Sequence, residues 1–384
     1  MIDRRLPSLV AVVALAAACT GAGSPGPSGA SAAPSGAASG SAAAGDCTVG
    51  VSWNNYQQPR WAKADEPAIQ QAVQAGGGTY IRTDAQDRED QQLTDIDSLM
   101  SQGADVLIVL AKDNKAILPG IEKAKAAGIP VIGYDRLIED ESVFYITFDN
   151  QGVGRLMAEV MLEAVPTGVY VVIKGHQADP NADFLRAGMD LAGLKAKVDA
   201  NEIEILFEDY TDTWRTEAAQ ENMETALAQA ESANKEIDAV LSENDSMAIG
   251  AVAALDRAGL AGTVPVSGQD GDEANLNNVA KGLQLVDVWK DAFALGETAG
   301  NAAIQLCGGA ALTAITAPDT LEDHVRPDSL TAAPFETPDG TTVQSIILKP
   351  TPITQENLNL PIELGWITKE TACAGAEADV AACQ

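Results

Sequence analysis

The chain alternates short apolar runs with longer stretches of helical periodicity, and it does so twice along its length. In the first half, apolar runs bounded by turn residues predict strands at 49–53, 79–83, 104–110, 129–134 and 144–148. Between them, periodic segments at 89–102 and 115–127 predict helices. Pro67 marks either the start of an earlier helix, with Asp65 as its N-cap, or a kink in it. Alternation with such continuously apolar strands is typical of a parallel sheet covered by helices on both faces.

A second unit of the same kind follows. We expect its strands at 169–173, 203–207, 239–241, 264–267 and 283–289, and its helices at 182–194, 217–230 and 247–258. A helix at 292–306 comes next, the pattern lapses over 307–341, and a last strand is expected at 343–349. Two similar units joined near Asn150 predict an α/β protein of two lobes, each built on a doubly wound parallel sheet.

The stretch 128–162 carries the first sign of a binding site. Its first strand ends directly in Asp135 and Arg136, and after a second strand either Asp149 or Asn150 is placed to cap the next helix. A charged pair where a buried strand ends lies at the edge where open α/β sheets bind ligands. Asp135 could also be only a turn residue. The pair indicates a site only if other polar residues lie at the same edge.

Other polar side chains follow the ends of other expected strands. They are Arg60, Trp61, Asn181, Arg186, Trp214, Asn244, Asp270 and Lys290. Asp and Asn after a strand often cap the next helix, but Arg and Trp do not, and they occupy the same edge. Carboxylates, amides and cationic donors beside indole rings suit the hydroxyls and the C–H faces of a neutral sugar.

The glycine pattern argues against a nucleotide or another phosphorylated ligand. GxxxxGK[ST] is absent, and the pair Gly152 and Gly154 lacks the third glycine of a dinucleotide motif and opens a helix. No cysteine spacing is typical of zinc, so neither a metal nor a cofactor is expected.

Composition narrows the class of partner. The net charge is -31, and the first 45 residues contain only Asp3, Arg4 and Arg5 as charged residues, so the negative charge lies in the rest. Such a chain repels nucleic acid and anionic lipid, and we expect neither as a direct partner.

The N-terminus predicts export. Arg4 and Arg5 precede an apolar stretch at 6–18 that is too short to span a bilayer but suits a signal peptide. The segment 1–19 ends in LAAAC, which resembles a bacterial lipobox with Cys19 as the acylated residue, although Ala16 stands where the motif usually has Leu. Cleavage without lipid, or an unmodified Cys19, are the alternatives. Residues 20–46, rich in Gly, Ala, Ser and Pro, are expected to form a flexible tether.

Four further cysteines allow three pairings if Cys19 carries lipid. The short loop between Cys373 and Cys383 favours that disulfide, which leaves Cys47 and Cys307 as the second pair.

The fragments PRW, GIPVIGYDR, FYITFDN, PNADFLRAG, TDTW, SENDSMA, SGQDGD and VDVWKD resemble the bacterial periplasmic sugar-binding proteins of type I fold. The family includes xylose, ribose and galactose/glucose binders, and the fragments are most similar to the xylose binders. The resemblance covers 49–306 and returns near 345–357. It departs from the pattern at Asn54 and Asn55, where an acidic pair is usual, and at Asp183, where the xylose binders have a basic residue.

The resemblance implies a set of ligand contacts and a lobe division. The contacts are Arg60, Asp135, Arg136, Asn181, Arg186, Trp214, Asn244, Asp270 and Lys290, with Trp61 as a stacking partner. One lobe would comprise 47–148 and 291–306, and the other 149–285 with part of 342–384. Three crossings would form the hinge, and ligand would close the cleft.

These features imply a monomeric, lipid-tethered receptor on the outer face of the cytoplasmic membrane. It would bind a monosaccharide, D-xylose before glucose, and deliver it to the permease of an ABC importer. The alternative is a receptor for glucose or several sugars that presents its ligand to a sensory partner. Asp135 and Asp270 could also be the paired carboxylates of a glycosidase, but nearby Arg and Lys would keep both ionised, which leaves no general acid. We therefore expect no enzymatic activity.

Overall fold

The computed structural model describes residues 47–376 and 380–384. The expected signal segment 1–19, its Cys19 and the tether 20–46 lie outside these residues. The strands are β1 (Thr48–Trp53), β2 (Thr79–Asp84), β3 (Val106–Val109), β4 (Val131–Tyr134), β5 (Val143–Phe148), β6 (Gly168–Lys174), β7 (Ile203–Tyr210), β8 (Ala239–Ser242), β9 (Ser267–Asp270), β10 (Val286–Trp289), β11 (Ala333–Glu336), β12 (Thr342–Leu348) and β13 (Thr351–Ile353).

Helices cover the faces of the sheets, as the alternating pattern predicts. They are α1 (Glu66–Ala75), α2 (Glu89–Ser101), α3 (Leu118–Ala126), α4 (Asn150–Ala164), α5 (Pro180–Leu191), α6 (Leu194–Asp199), α7 (Thr216–Ala233), α8 (Asp245–Arg257), α9 (Glu273–Ala280), α10 (Ala292–Cys307), α11 (Asn359–Glu363) and α12 (Lys369–Ala372). In the part of the chain described, no helix is both long and apolar enough to span a membrane.

The first sheet has seven strands in the order β11-β12-β5-β4-β3-β1-β2. Its neighbouring strands are parallel except for β11 and β12, which are antiparallel. Every residue of β3, β4 and β5 is buried, which explains why these strands read as continuous apolar runs. The edge strand β11 lies in the 307–341 segment, for which the sequence pattern predicted no strand.

The second group of strands is built the same way but is divided. It consists of β7-β6-β8 and β13-β10-β9, which are linked by a single bridge between Val240 and Val266. The strand expected at 264–267 therefore begins only at Ser267, because Val266 makes that one bridge and the ladder starts after it.

Helix α10 packs on the first sheet, although it follows the strands of the second group in the chain. Leu295, Ala299 and Ala303 share a core with Val51 and Ile108. Two glycines allow α1 to approach: a Cβ on Gly296 would lie 2.7 Å from Cβ of Ala68, and one on Gly300 would lie 2.6 Å from Cβ of Ala72. The chain therefore passes between the two groups of strands three times, near Asp149, near Lys290 and between β12 and β13.

Two disulfides fasten the ends of the described chain. Cys47 at the start of β1 is bonded to Cys307 at the end of α10, and Cys373 is bonded to Cys383.

Two helix starts bear on the site. Asp149 caps α4, since its carboxylate accepts the N–H of Gly152 at 2.9 Å. Asp65 was expected to cap α1 but accepts no backbone N–H there, because a π-helical turn, Trp61–Asp65, runs directly into the helix. Its carboxylate is bonded to Arg60 and Tyr134 instead.

Candidate functional site

A cavity of about 300 Å³ lies between the two groups of strands. It is lined by Gln58, Trp61, Asp135, Arg136, Asp179, Asn181, Trp214, Asn244, Gln269, Asp270 and Lys290. Most of these residues lie at or just beyond the carboxyl ends of strands, where parallel sheets place their ligands.

Asp135 and Arg136 form the wall contributed by β4. Asp135 has a φ of 60°, a left-handed conformation that is uncommon outside glycine and is often found at functional sites. Its carbonyl accepts hydrogen bonds from Oγ1 of Thr147 at 2.8 Å and from Nδ2 of Asn181 at 3.1 Å, which hold the strained turn in place. Arg136 reaches across to Asp179, with Nε 3.0 Å from Oδ2. Burial raises the pKa of the Asp179 carboxyl, and Arg136 opposes that shift.

Arg60 lies behind the cavity wall and is bonded to the carboxylates that face the cavity. Its Nη1 donates to Asp270 at 2.9 Å, Nη2 lies 3.5 Å from Asp135, and Nε and Nη2 donate to Asp65 at 3.0 and 2.8 Å. Only 1% of the side chain is exposed. Burial alone would lower the pKa of the guanidinium, but Asp65, Asp135 and Asp270 together raise it well above its ordinary value.

The pKa of Asp65 rises to about 6 because complete burial outweighs the attraction of Arg60. Arg60 was expected to contact the ligand directly. The structure instead gives it the position of a support for Asp135 and Asp270.

The opposite wall comes from the strands β8, β9 and β10. Asn244 caps α8 by accepting the N–H of Met247 at 3.0 Å. Asp270, at the end of β9, has a φ of 110°, and Lys290 lies 4.0 Å from its carboxylate with 2% of the lysine side chain exposed. Gly271 follows with a φ of 82°, and a Cβ there would lie 2.3 Å from the ring of Trp289. Only glycine therefore fits the turn that follows Asp270.

Two indole rings supply the apolar surface of the cavity. The ring of Trp214 lies so close to Gly175 that a Cβ on that glycine would be 2.0 Å from a ring carbon. Nε1 of Trp61 donates to Gln58 at 3.0 Å, and the Arg60 guanidinium stacks 4.5 Å from the Trp61 ring centroid. Each ring is thus fixed by a neighbour before any ligand arrives.

Several buried polar atoms of the lining have no hydrogen-bond partner among the described residues. They include Oδ1 of Asp135, Oε1 of Gln269 and Nε1 of Trp214. Buried polar groups are nearly always hydrogen-bonded, and leaving one unpaired costs about 1–3 kcal/mol. Two acceptors and one donor are therefore available to a ligand that carries hydroxyl groups.

Charges of both signs line the cavity. Asp135, Asp179 and Asp270 face it together with Arg136 and Lys290, and Arg60 and Asp65 lie behind them as a bonded pair. A neutral ligand with hydroxyl groups can donate to the carboxylates and accept from the cations, whereas an ion would be repelled by the groups of its own sign. Among the residues the structure describes, no group of His, Cys, Asp and Glu side chains is arranged to hold a metal ion.

Of the ten residues expected to contact ligand, eight line the cavity and two do not. Arg60 stands behind it. Arg186 points elsewhere: it pairs with Asp190 one helical turn along α5 and with Glu208, 3.0 Å away on β7. The contact of Arg186 with ligand stays a prediction, and in this structure these two carboxylates hold its side chain.

Three lining residues were not among the expected contacts. Asp179 reads as a simple helix cap, and it does accept the N–H of Asn181 at 3.0 Å. Gln58 belongs to no pattern, whereas Gln269 stands next to Asp270 in the SGQDGD fragment and could have been included on that ground.

The positions at which the sequence departs from the xylose-binder pattern lie outside the lining. Asn54 accepts the N–H of Asn55 at 2.6 Å, and Asp183 accepts hydrogen bonds from Lys174 and Tyr210 at 2.8 and 2.7 Å.

Comparisons with known proteins agree with this architecture. Residues 49–311 match the family model described as a periplasmic binding protein domain. The chain is 35% identical over 262 residues to the D-xylose-binding periplasmic protein of Escherichia coli (strain K12), which covers 68% of this chain and 78% of that protein. It is 29% identical over 264 residues to the multiple sugar-binding periplasmic receptor ChvE of Rhizobium radiobacter, with 64% and 73% covered.

A solved structure shares the fold. An ABC transporter solute-binding protein from Clostridium phytofermentans with bound beta-D-glucose superposes with a TM-score of 0.73 and 26% identity, covering 85% of this chain and 99% of that one.

Proposed function

The chain belongs to the periplasmic binding protein family, and from this premise we propose that it is an exported receptor that encloses one monosaccharide in the 300 Å³ cavity and delivers it to an ABC importer. The observation that carries the proposal is the lining itself. It joins carboxylates and cations, two fixed indole rings, and polar atoms of Asp135, Gln269 and Trp214 that have no hydrogen-bond partner among the described residues. The protein is a binding protein and not an enzyme.

The mode of binding follows from the groups that face the cavity. The carboxylates of Asp135 and Asp270 accept ligand hydroxyls, and Arg136 and Lys290 donate to ligand oxygens. Trp214 and Trp61 cover the C–H faces of the ring. Arg60 holds Asp135 and Asp270 in place through its guanidinium group.

We assign D-xylose as the preferred ligand. The 35% identity with a relative named for D-xylose supports this assignment. The second candidate is a receptor for glucose or several sugars that presents its ligand to a sensory partner. It is favoured by the similarity to a multiple sugar-binding receptor and by a structural neighbour that holds glucose.

Two lobes and a hinge form part of the proposal. One lobe comprises 47–148, helix 291–306 and the strands β11 and β12. The other comprises 149–285 and the residues from β13 onward. The crossings near Asp149, near Lys290 and between β12 and β13 act as the hinge. The 2.9 Å contact between Arg60 and Asp270 joins the lobes in the closed state.

We also propose that Cys19 carries lipid and that the tether 20–46 holds a monomeric receptor at the outer face of the cytoplasmic membrane. The lipobox-like end of the signal segment supports it. Palmitate labelling in a bacterial host is expected for the wild type and not for Cys19→Ser. Equal labelling of both would remove the anchor from the proposal.

Calorimetric titration with a panel of pentoses and hexoses tests the function. We expect one molecule of D-xylose to bind more tightly than glucose, and Asp135→Ala to lose several kcal/mol of binding free energy, since it strands donors of the sugar and of Arg60. Glucose binding at least as tightly as xylose would reverse the assignment. Absence of heat with every aldose would refute a sugar receptor.

A further inference from the structure

A second cavity of about 700 Å³ lies outside the wall formed by Arg60 and the turn after Asp270. Arg60, Lys63, Ala64 and Phe293 line it from the side of the first sheet, and Gly271, Asp272, Glu273 and Trp366 line it from the other. Asp270 faces the inner cavity while its neighbours Gly271 and Asp272 face this outer one. The two cavities therefore lie on opposite sides of one turn, and both are bounded by residues of both lobes.

Asp272 is the residue that marks the outer cavity as a candidate site. Its side chain makes no hydrogen bond or ion pair among the described residues, although Asp272 is only 8% exposed. Its backbone N–H donates to Asp245 at 2.8 Å, which fixes the turn. Burial and the nearby Asp270 raise the pKa of Asp272 to about 7.

The charges of the lining are balanced. Two cations, Arg60 and Lys63, stand opposite two carboxylates, Asp272 and Glu273. Lys63 is already paired with Glu273 at 2.9 Å, and Arg60 is engaged with Asp270. An anion would meet Asp272 and Glu273, and a cation would meet Lys63. A neutral ligand with hydroxyl groups avoids both repulsions and supplies the donors that Asp272 lacks.

Two aromatic rings provide the apolar part of this lining. Phe293 is 44% exposed, and its ring centroid lies 5.5 Å from that of Trp366. Trp366 is fixed by a hydrogen bond from its Nε1 to the carbonyl of Gly271 at 2.5 Å and by an edge contact with Trp289. Aromatic faces beside a carboxylate suit the C–H face of a sugar ring. Trp366 lies beyond 49–311, so this ring comes from a tail outside the match to the family model.

We propose that the outer cavity is a second binding site, for a neutral saccharide or polyol, in which Asp272 accepts ligand hydroxyls and the rings of Phe293 and Trp366 cover one face of the ligand. A ligand held there bridges the two lobes and adds to the stability of the closed state. The site is distinct from the inner cavity, and its existence does not depend on which sugar the inner cavity takes.

The indole N–H resonance of Trp366 in a ¹H–¹⁵N correlation spectrum serves as the reporter. We expect titration of the full chain with D-xylose, D-glucose and xylitol to show, for at least one of them, a second saturable shift at about millimolar concentration. Asp272→Asn and Phe293→Ala should each weaken this second phase by about tenfold or more. Leu364→Ala, an exposed apolar position two residues from Trp366 in the same tail, serves as the matched control and should leave it unchanged.

Binding in the inner cavity is tested separately with Asp135→Ala. In that variant the first phase should be lost and the second should move to a higher ligand concentration, because the lobes stay open and the ligand of the outer cavity must close them unaided. Loss of the first phase alone therefore speaks only against the inner site. A Trp366 resonance that follows a single saturating curve with all three compounds would overturn the proposal. A second phase that keeps its midpoint in both Asp272→Asn and Phe293→Ala would also overturn it.

Discussion

Nε2 of His324 lies 3.2 Å from Oδ2 of Asp291, the residue that caps helix α10. The other oxygen of this carboxylate accepts the backbone N–H groups of Phe293 and Ala294. Asp291 stands directly after the second crossing between the two groups of strands, so the pair ties the C-terminal segment to this crossing.

Arg326, two residues further on, repeats the arrangement at the first crossing. Its Nη1 lies 3.7 Å from Oδ2 of Asp149, the cap of α4. The third crossing is contacted through the backbone, since the N–H of Lys349 donates to the carbonyl of His324 at 2.8 Å. The segment 324–326 therefore touches the chain at all three crossings, and His324 is its titratable member.

The His324 contact predicts a dependence of stability on pH. The hydrogen bond to Asp291 raises the pKa of His324 above its ordinary value of about 6.5. The pair therefore stabilises the fold fully below about pH 6.5, and the contribution is lost as the pH rises through the pKa of the folded protein. His324→Gln should lower the melting temperature more at about pH 5.5 than at about pH 8.5.

His176, the other of the two histidines in the sequence, is the control with the opposite sign. Burial lowers its pKa to about 4, helped by Lys112 and Arg136 and opposed by Asp212 and Asp87. Its contribution to stability is present above about pH 6.5 and is lost as the pH falls toward about 4. The melting temperature of His176→Gln, relative to that of the wild type, should therefore be higher in acid than at about pH 8.5. An equal change in melting temperature at both pH values, for either variant, would contradict the assignment.

Substitution of Arg60 should lower the free energy of unfolding by a large amount. Arg60→Met removes the cation from a buried group of three carboxylates, and breaking a buried ion pair costs about 3–5 kcal/mol. The loss should appear in urea unfolding at neutral pH, together with weaker sugar binding. Arg155→Met is the control, since Arg155 is paired only with Glu159 on the surface of α4 and should change stability by less than about 0.5 kcal/mol. Similar losses in both variants would contradict the role given to Arg60.

The alternation of apolar runs and helical segments was sufficient to predict the α/β class, because the central strands β3, β4 and β5 are buried along their whole length. The antiparallel strand at the edge of the first sheet was harder to predict from the sequence. The edge strand β11 exposes alternate residues and follows a stretch of Pro and Thr, so its pattern resembles a loop. It becomes a strand only because β12 offers it a partner.

The site was predictable where polar residues end buried strands, as at Asp135, Asn244 and Asp270. The direction of a long side chain was not. Arg60 and Arg186 both have several rotatable bonds, and each turns toward carboxylates that are distant in sequence or on another element, namely Asp270 for Arg60 and Glu208 for Arg186. Spacing along the chain carries no information about such partners.

Substitution of Trp214 should change the affinity for sugar and leave the stability of the fold nearly unchanged. Trp214→Ala removes a fixed apolar face of the cavity and should weaken sugar binding by about 1–3 kcal/mol in calorimetry. Gly175→Ala should act in the same direction, because its Cβ would displace the Trp214 ring that lies 2.0 Å away. Unchanged affinity in both variants would make Trp214 a packing residue.

We propose that residues of two lobes hold one sugar, which draws the lobes together. Small-angle scattering of the wild type should show a smaller radius of gyration with saturating D-xylose than without sugar, and Asp135→Ala should show no contraction at the same sugar concentration. A radius of gyration that is the same with and without D-xylose, in a sample for which calorimetry records binding, would contradict closure of the lobes on the ligand.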